Sequence, residues 1–369
     1  MGWKSRKVRG LCINGKIELM LKDTRDSGIE LLRIFAAAAV IFSHFCNVGG
    51  IFSGNLSEGS YLVMSLIRSL TVSAVDVFVL ISGYFLCTTD KRTLKKPFEL
   101  IAQLILYSLV IYLALSAFGV VEFSGKGLVR QFIPANWFVT LYVVLYVLSP
   151  YINAVTGRFS KKGWTVFFVV WLSLFSLIPM LLGIFESFGV PIADINPYGM
   201  MGNTAGYSLV NFVTLYCVGS YLRVRKVEER ISLKAVLLTV FICVLLLWGL
   251  RFVPIHSAPW HIAGWYDNIV MILMAASLFV VFKKIHLKSV VVNRIAGASF
   301  AVFIIHCSLF SLIDPAEILK LPVPAALLRI AAFTVFVFVV AFVLSFVFRP
   351  LVRKALCFLD KYTIPYFDN

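Results

Sequence analysis

About ten long apolar stretches follow one another along this chain of 369 residues, and they restrict its possible folds more than any other feature. A helix that crosses the hydrocarbon core of a bilayer needs about 20 mostly apolar residues. In the whole chain, 60% of the residues are hydrophobic and only 14% are charged. A soluble domain could not bury the apolar surface of so many hydrophobic residues. We therefore expect an all-α, polytopic membrane protein with about ten transmembrane helices. The predicted spans are residues 29–47, 62–86, 98–120, 136–155, 163–184, 207–222, 233–251, 266–283, 296–314 and 325–348.

Most of the 34 Lys and Arg residues fall in alternate connections between these spans. Cytoplasmic loops of membrane proteins carry such an excess of basic residues. The pattern predicts that both termini are cytoplasmic, with a basic N-terminal segment over residues 1–28, a membrane domain over 29–348 and a C-terminal tail over 349–369. It also accounts for the net charge of +16, so we expect contact with membrane lipids and no nucleic-acid partner.

Arg33 and His44 are two costly polar residues inside the first span. Their spacing of eleven positions, at about 100° per residue, brings the second side chain to within roughly 20° of the first. The rise between them is about 16 Å, roughly half of the hydrocarbon thickness. Polar side chains at such depth normally face a protein interior or a water-filled cavity. This face of the first helix is therefore a candidate site of chemistry.

Further polar residues lie within the later spans. Asp76 is costly in the second span unless it is paired, and an ion pair with Arg33 or Arg68 is one explanation. Ser82 is followed by a glycine, which suits either close helix packing or the approach of a ligand. His306 in the ninth span is either a hydrogen-bonded core residue or a ligand contact.

The seven cysteines are scattered through the chain. No pair of them has the spacing that is typical of a metal site. We interpret them as small apolar packing residues, and we expect neither a structural disulfide nor a bound metal.

Four segments, taken in order and spacing, resemble motifs of the acyltransferase 3 family of bacterial membrane acyltransferases. The matching segments are Arg33 to His44 for its Arg-x10-His signature, residues 75–84 (VDVFVLISGY) for its VDxFFxxSGF segment, residues 137–142 (WFVTLY) with 148–150 (LSP) for its fourth-helix region, and residues 303–306 (FIIH) for its YLIH motif. The resemblance covers residues 27–348, which is nearly the whole chain.

The resemblance implies an integral-membrane O-acyltransferase of the bacterial cytoplasmic membrane. Members of the family transfer an acyl group, usually acetyl, from cytoplasmic acetyl-CoA to a hydroxyl of an outward-facing or lipid-linked glycan such as O-antigen, capsule or exopolysaccharide. Acetyl-CoA and a glycan are thus the expected partners. The alternatives are a transporter or flippase for a lipid-linked sugar or small molecule, and a catalytically inactive sensor or assembly partner. Transfer of labelled acetyl from acetyl-CoA would separate the three.

The resemblance also suggests roles for individual residues. His44 would act as general base on the acceptor hydroxyl, or as a nucleophile that carries the acetyl group. Arg33 would hold the anionic donor or polarise its thioester, and Asp76 would orient one of these two side chains. The basic residues expected to help bind the donor are Lys91, Arg92, Lys95 and Lys96. The residues expected to contact the substrates are Ser82, Trp137, Tyr142 and His306.

Overall fold

The computed structural model describes residues 26–52, 56–89, 92–190, 205–253 and 262–362, and every regular element in these ranges is helical. The α-helices are α1 Ser27–Val48, α2 Glu58–Thr71, α3 Ala74–Leu86, α4 Lys95–Ala117, α5 Gly125–Gln131, α6 Trp137–Thr156, α7 Lys161–Leu172, α8 Ile178–Ser187, α9 Leu209–Arg225, α10 Val227–Arg230, α11 Leu233–Gly249, α12 Ile269–Lys283, α13 Val290–Ala296, α14 Ser299–Leu309, α15 Pro315–Leu319 and α16 Val323–Ala355. A π-helical turn, Ser173–Leu177, joins α7 to α8, and the 3₁₀ turns are Leu250–Phe252, Ile262–Gly264, Phe310–Leu312 and Cys357–Lys361.

Eight helical segments of the described chain are long and apolar enough to cross a membrane. A ninth is formed by α13 and α14, which meet at a bend of 49°, if this pair is one span. At 17 residues, α9 is slightly shorter than a full span. Each predicted span thus coincides with a helix or a helix pair, and the expectation of an all-α, polytopic membrane protein is confirmed. The side of the membrane on which the termini lie stays a prediction.

Basic residues gather at one end of the helix bundle, where α1 and α4 begin and α16 finishes. Glu99 of α4 accepts a hydrogen bond from Nε of Arg353 at 2.8 Å and lies 3.9 Å from Nε of Arg349. We call this the basic end. The opposite end, where α1 finishes and α2 begins, is the distal end.

Small polar residues begin several of the helices. Asp26 caps α1 by accepting a hydrogen bond from the backbone N–H of Gly28 at 3.1 Å. Asn136 caps α6 through the N–H of Val139, also at 3.1 Å. These caps satisfy backbone N–H groups that have no partner inside the helix. They therefore set where the two helices that carry several predicted site residues begin.

The centre of the bundle is formed by α1, α2, α3 and α12, whereas α7, α8, α11 and α16 lie outside and expose apolar side chains. At a close crossing of α3 and α9, Gly83 and Gly219 each lie against the backbone of the other helix. A Cβ on Gly83 would overlap the carbonyl of Tyr216, and one on Gly219 would overlap the carbonyl of Leu80. Glycine permits this approach because it has no side chain.

Two predicted spans are interrupted in the structure. The span 62–86 is divided into α2 and α3 at Val72 and Ser73. The span 296–314 begins at the last residue of α13, so the bend between α13 and α14 lies within its first residues. Hydropathy does not reveal such breaks, because the residues at a break can be as apolar as those in the helices on either side.

Candidate active site

His44 of α1 and His306 of α14 lie side by side. Nδ1 of His44 is 3.1 Å from Nε2 of His306, and the two ring centroids are 4.8 Å apart. Sγ of Cys307 lies 3.2 Å from Nδ1 of His44 and 3.3 Å from Nε2 of His306. His306 is buried, His44 is half-buried and Cys307 is exposed. Two histidines that are 262 positions apart in the sequence therefore form one polar cluster.

The hydrogen bonds of this cluster determine which nitrogen of His44 is free. Nδ1 of His306 is 3.1 Å from the carbonyl oxygen of Val302, and it carries a proton because a carbonyl only accepts. In the neutral ring, Nε2 of His306 is therefore an acceptor, and we infer that Nδ1 of His44 donates to it, because an imidazole N–H is a stronger donor than the nearby thiol of Cys307. This leaves Nε2 of His44 with its lone pair. A histidine held in this tautomer is suited to act as a general base.

A cavity of about 290 Å³ opens among α1, α3, α4, α6, α14 and the last turns of α16. The charged residues of its lining are the cations Arg33, Lys96 and Arg349 and the acid Glu30. Nη1 of Arg33 donates to Oε1 of Glu30 at 2.7 Å, which balances one of the three positive charges. The lining keeps an excess of positive charge, so the cavity favours an anionic ligand.

Ser82 and Tyr142 meet in the wall of this cavity. The hydroxyl of Ser82 donates to the carbonyl oxygen of Phe78 at 3.0 Å. Because its single proton is used there, the hydroxyl of Tyr142 donates to Oγ of Ser82 at 2.9 Å. The structure thus brings two of the predicted substrate contacts to one polar spot in the cavity.

Contacts of two phenylalanines connect the wall of the cavity to the histidine pair. Phe138 and Phe303 both line the cavity, with ring centroids 4.7 Å apart. The ring of Phe303 is also 6.1 Å from the ring of His306. The cationic cavity and the histidine cluster are therefore neighbouring parts of one region, with Arg33 and His44 at its two ends.

The lysines predicted to bind the donor lie in different surroundings. Lys96 lines the cavity, as predicted for a donor contact. Lys95 instead forms an ion pair with Asp360 at 2.6 Å. Lys91 lies outside the described residues.

Arg92 is buried and its hydrogen bonds are made within the protein. Its Nε donates to Oγ of Ser149 at 3.0 Å, and its Nη1 donates to Oγ1 of Thr89 at 2.8 Å. Its side chain thus ties the end of α3 to α6. This arrangement gives no support to the prediction that Arg92 contacts donor phosphates, because the guanidinium is already occupied.

Asp76 is fully buried in the first turn of α3. Among the described residues, no partner of its carboxylate meets the geometry of a full hydrogen bond, and the side chains beside it are those of Asn211 and Asp267. In that part of the chain, no hydrogen bond or ion pair joins it to Arg33, Arg68 or His44. The structure therefore does not bring Asp76 to either side chain that it was predicted to orient, and the ion pair considered for it is not formed.

Trp137 begins α6 inside an aromatic cluster. Its ring centroid is 4.4 Å from that of Tyr207 and 5.9 Å from that of Tyr266, which lies nearly parallel to it. The Trp137 side chain is half-buried, so part of its face stays accessible. A substrate contact of Trp137 stays a prediction.

Sequence reasoning missed two residues of this region, Cys307 and Arg349. Cys307 was predicted to be a packing residue, but it is exposed and contacts both histidines. The available signal was its position directly after His306. Arg349 is the first residue of the predicted C-terminal tail, yet it lines the cavity, and its Nη1 donates to the carbonyl oxygen of Gly297 at 3.2 Å. Nothing local in the sequence indicates this, because the contact joins distant helices.

The histidine cluster also has the composition of a metal site. One ligand atom from each of His44, His306 and Cys307 lies within 4.8 Å of the others. Imidazole nitrogens and a thiolate are ligands that suit a zinc ion. The cluster can therefore hold a metal, and the expectation that the protein works without one stays a prediction.

Comparison with known proteins gives a match to a family. The acyltransferase domain that defines the acyltransferase 3 family matches residues 26–349, which is most of the chain. No curated protein and no solved structure matches the chain.

Proposed function

Because this chain belongs to the acyltransferase 3 family and is a membrane acyltransferase, we propose that it transfers an acetyl group from cytoplasmic acetyl-CoA to a hydroxyl of an extracytoplasmic or lipid-linked glycan. The observation that carries this proposal is the histidine pair. It leaves Nε2 of His44 free as a base, on the same helix whose other end lines a cationic cavity with Arg33.

The cavity is the proposed site of the donor. Its volume of about 290 Å³ is at the lower limit of pockets for drug-sized ligands, about 300–1,000 Å³. It therefore suits the narrow acyl-pantetheine arm of acetyl-CoA better than the whole nucleotide. Arg33, Lys96 and Arg349 would attract the phosphates at its mouth. Placing this basic end in the cytoplasm agrees with the distribution of Lys and Arg between the loops.

The proposed chemistry is a direct transfer. Nε2 of His44 takes the proton of the acceptor hydroxyl while the oxygen attacks the thioester carbonyl carbon. The carbon–sulfur bond then breaks, and the proton passes from His44 to the leaving thiolate, which gives coenzyme A and the acetyl ester. The imidazolium formed in between is stabilised by the hydrogen bond from its Nδ1 to His306. His306 is thus proposed as a positioning residue rather than as a substrate contact.

Transport of a lipid-linked sugar or small molecule is the competing function. The interruption of a span between α2 and α3, beside a buried carboxylate at Asp76, is a feature that transporters also use. A transporter does not need a base next to a thioester site. Measuring acetyl transfer therefore separates the two functions.

The test uses the whole protein in proteoliposomes with labelled acetyl-CoA and lipid-linked glycan from the expressing cells. We expect labelled acetyl ester in the glycan, confirmed by NMR of its O-acetyl groups. His44→Ala should lower the rate by about 100- to 10,000-fold, which is the usual contribution of a general base. His286→Gln, which changes an exposed histidine between α12 and α13, is the matched control and should keep full activity. Transfer by the wild type that is undiminished in His44→Ala would refute the proposed role.

A further inference from the structure

Arg68 of α2 and Arg251, in the 3₁₀ turn after α11, lie buried against one aromatic ring towards the distal end. The guanidinium carbon of Arg68 is 5.2 Å from the ring centroid of Phe52, and that of Arg251 is 4.9 Å from it. Trp248, shortly before Arg251, donates from Nε1 to Oγ of Ser65 in α2 at 3.0 Å. This bond helps to hold together the two segments that carry the arginines. The exposed fraction is 6% for Arg68 and 5% for Arg251.

The positive charges of this pair are not balanced within the described part of the chain. Nε and Nη1 of Arg68, and Nε and Nη2 of Arg251, are buried N–H groups without a hydrogen-bond acceptor among the described residues. Arg353 at the basic end, by contrast, is paired with Glu99. Buried cations without an acceptor are costly, and in membrane proteins they mark sites where a ligand or substrate passes.

The arginine pair is a neighbour of the histidine cluster. Nη2 of Arg68 donates to Oδ1 of Asn47 at 3.0 Å, and Asn47 follows His44 by about one helical turn on α1. The hydroxyl oxygens of Ser43 and Thr71 are 3.2 Å apart, so α1 and α2 are in contact beside His44. A group held by the arginines therefore lies about one turn, or about 5 Å along the helix axis, beyond His44 on the distal side.

We propose that Arg68 and Arg251 bind an anionic group of the acceptor and so bring its hydroxyl to His44. This inference rests on the proposed function, because it assigns the site to the acceptor of that reaction. Guanidinium groups match the paired oxygens of a carboxylate or a phosphate. Phe52, which is 45% exposed, offers apolar surface beside the guanidinium groups for contact with the attached sugar. The oxyanion comes either from a sugar carboxylate or from the phosphate that links a glycan to its lipid.

Two matched pairs of probes distinguish these sources. The whole protein is placed in phosphatidylcholine nanodiscs, and equilibrium dialysis measures the binding of labelled methyl glucuronide against neutral methyl glucoside. The second pair is farnesyl diphosphate against farnesol. We expect one anionic probe to bind at least tenfold more tightly than its neutral counterpart. Stronger binding of the glucuronide identifies a carboxylate, and stronger binding of the diphosphate identifies a phosphate.

Variants assign the binding to the arginines. Arg251→Gln and Arg68→Gln should each lower the affinity for the anionic probe by about 10- to 100-fold, which is the usual loss when a charge-assisted hydrogen bond is removed. Arg329→Gln, which removes an exposed arginine of α16, is the matched control and should bind as the wild type does. If Arg68→Gln does not fold, Arg68→Lys keeps the charge but loses the planar fork, and it should still weaken binding.

Equal affinity for the charged and neutral probes would overturn the anion site. So would a loss of affinity in Arg329→Gln as large as the loss in Arg68→Gln or Arg251→Gln. His44→Ala should lose acetyl transfer and keep anion binding, so the two proposals fail separately. A protein that binds the anionic probe but transfers no acetyl group refutes the proposed function. A protein that transfers acetyl groups but binds neither anionic probe refutes the anion site.

Discussion

Replacing His306 by phenylalanine removes the acceptor that holds His44 in its productive tautomer. In the protein, Nδ1 of His44 is 3.1 Å from Nε2 of His306. A phenyl ring fills the same space among Phe303 and Phe310, whose centroids are each 6.1 Å from the imidazole. The carbonyl of Val302 keeps its helical hydrogen-bonding role when the imidazole proton is lost. The variant is therefore expected to fold with an unchanged melting temperature.

The expected loss of rate follows from the change in charge during the reaction. His44 becomes an imidazolium as it takes the acceptor proton, and a hydrogen bond to a charged group contributes about 1.5–3 kcal/mol. Losing that bond should lower kcat by about 10- to 100-fold. The KM for acetyl-CoA should stay the same, because the donor cavity around Arg33 and Lys96 is not altered.

The assay is acetyl transfer in proteoliposomes, with kcat and KM measured for the wild type, His306→Phe, His44→Ala and the double variant. A positioning residue acts through the base, so the double variant should be no slower than His44→Ala alone. His286→Gln serves again as the control with an exposed histidine. A kcat of His306→Phe within twofold of the wild type would refute the positioning role of His306. A double variant slowed by the product of the two single effects would refute it too.

Three further outcomes are expected. Arg33→Lys keeps the charge but loses the planar fork of the guanidinium, so it should raise the KM for acetyl-CoA about tenfold with little change in kcat. An unchanged KM would argue against contact between Arg33 and the donor. Gly83→Ala should lower the free energy of unfolding by about 1–3 kcal/mol or prevent folding, because the new methyl group overlaps the backbone of α9. The control is Gly249→Ala, where the methyl group has open space and the melting temperature should equal that of the wild type. If the transfer is direct, Cys307→Ser and treatment with a chelator should each leave the rate of acetyl transfer within twofold of the untreated wild type. Loss of activity with the chelator would indicate a metal at the histidine cluster.

The helical face that carries Arg33 and His44 could be predicted because it depends on local periodicity alone. Eleven residues return to the same side of any α-helix, whatever surrounds it. The membrane-spanning helices were predictable for a similar reason, since hydropathy over about 20 residues decides whether a segment partitions into a bilayer. The motifs around these residues then identified the family, whose domain matches residues 26–349.

The partners of individual side chains were not predictable in this way. Arg92 lies in a basic stretch that suits phosphate binding, yet its guanidinium turns inwards to Ser149 of α6. Asp76 lies in the same motif segment as Ser82, yet among the described residues it has Asn211 beside it, and no hydrogen bond or ion pair joins it to Arg33 or His44. Composition and spacing describe what a segment offers, whereas burial and pairing depend on which helix packs against it.

By itself, the sequence determined that this protein is a helical membrane acyltransferase and that Arg33 and His44 share a helix face. The tertiary structure decided that His306 holds His44 in one tautomer, and that Arg68 and Arg251 meet at Phe52. The physical reason is the range of the interactions. Helix formation and membrane partitioning depend on neighbouring residues, but the contact between His44 and His306 joins positions 262 residues apart. Only the packing of α1 against α14 brings such residues within hydrogen-bonding distance.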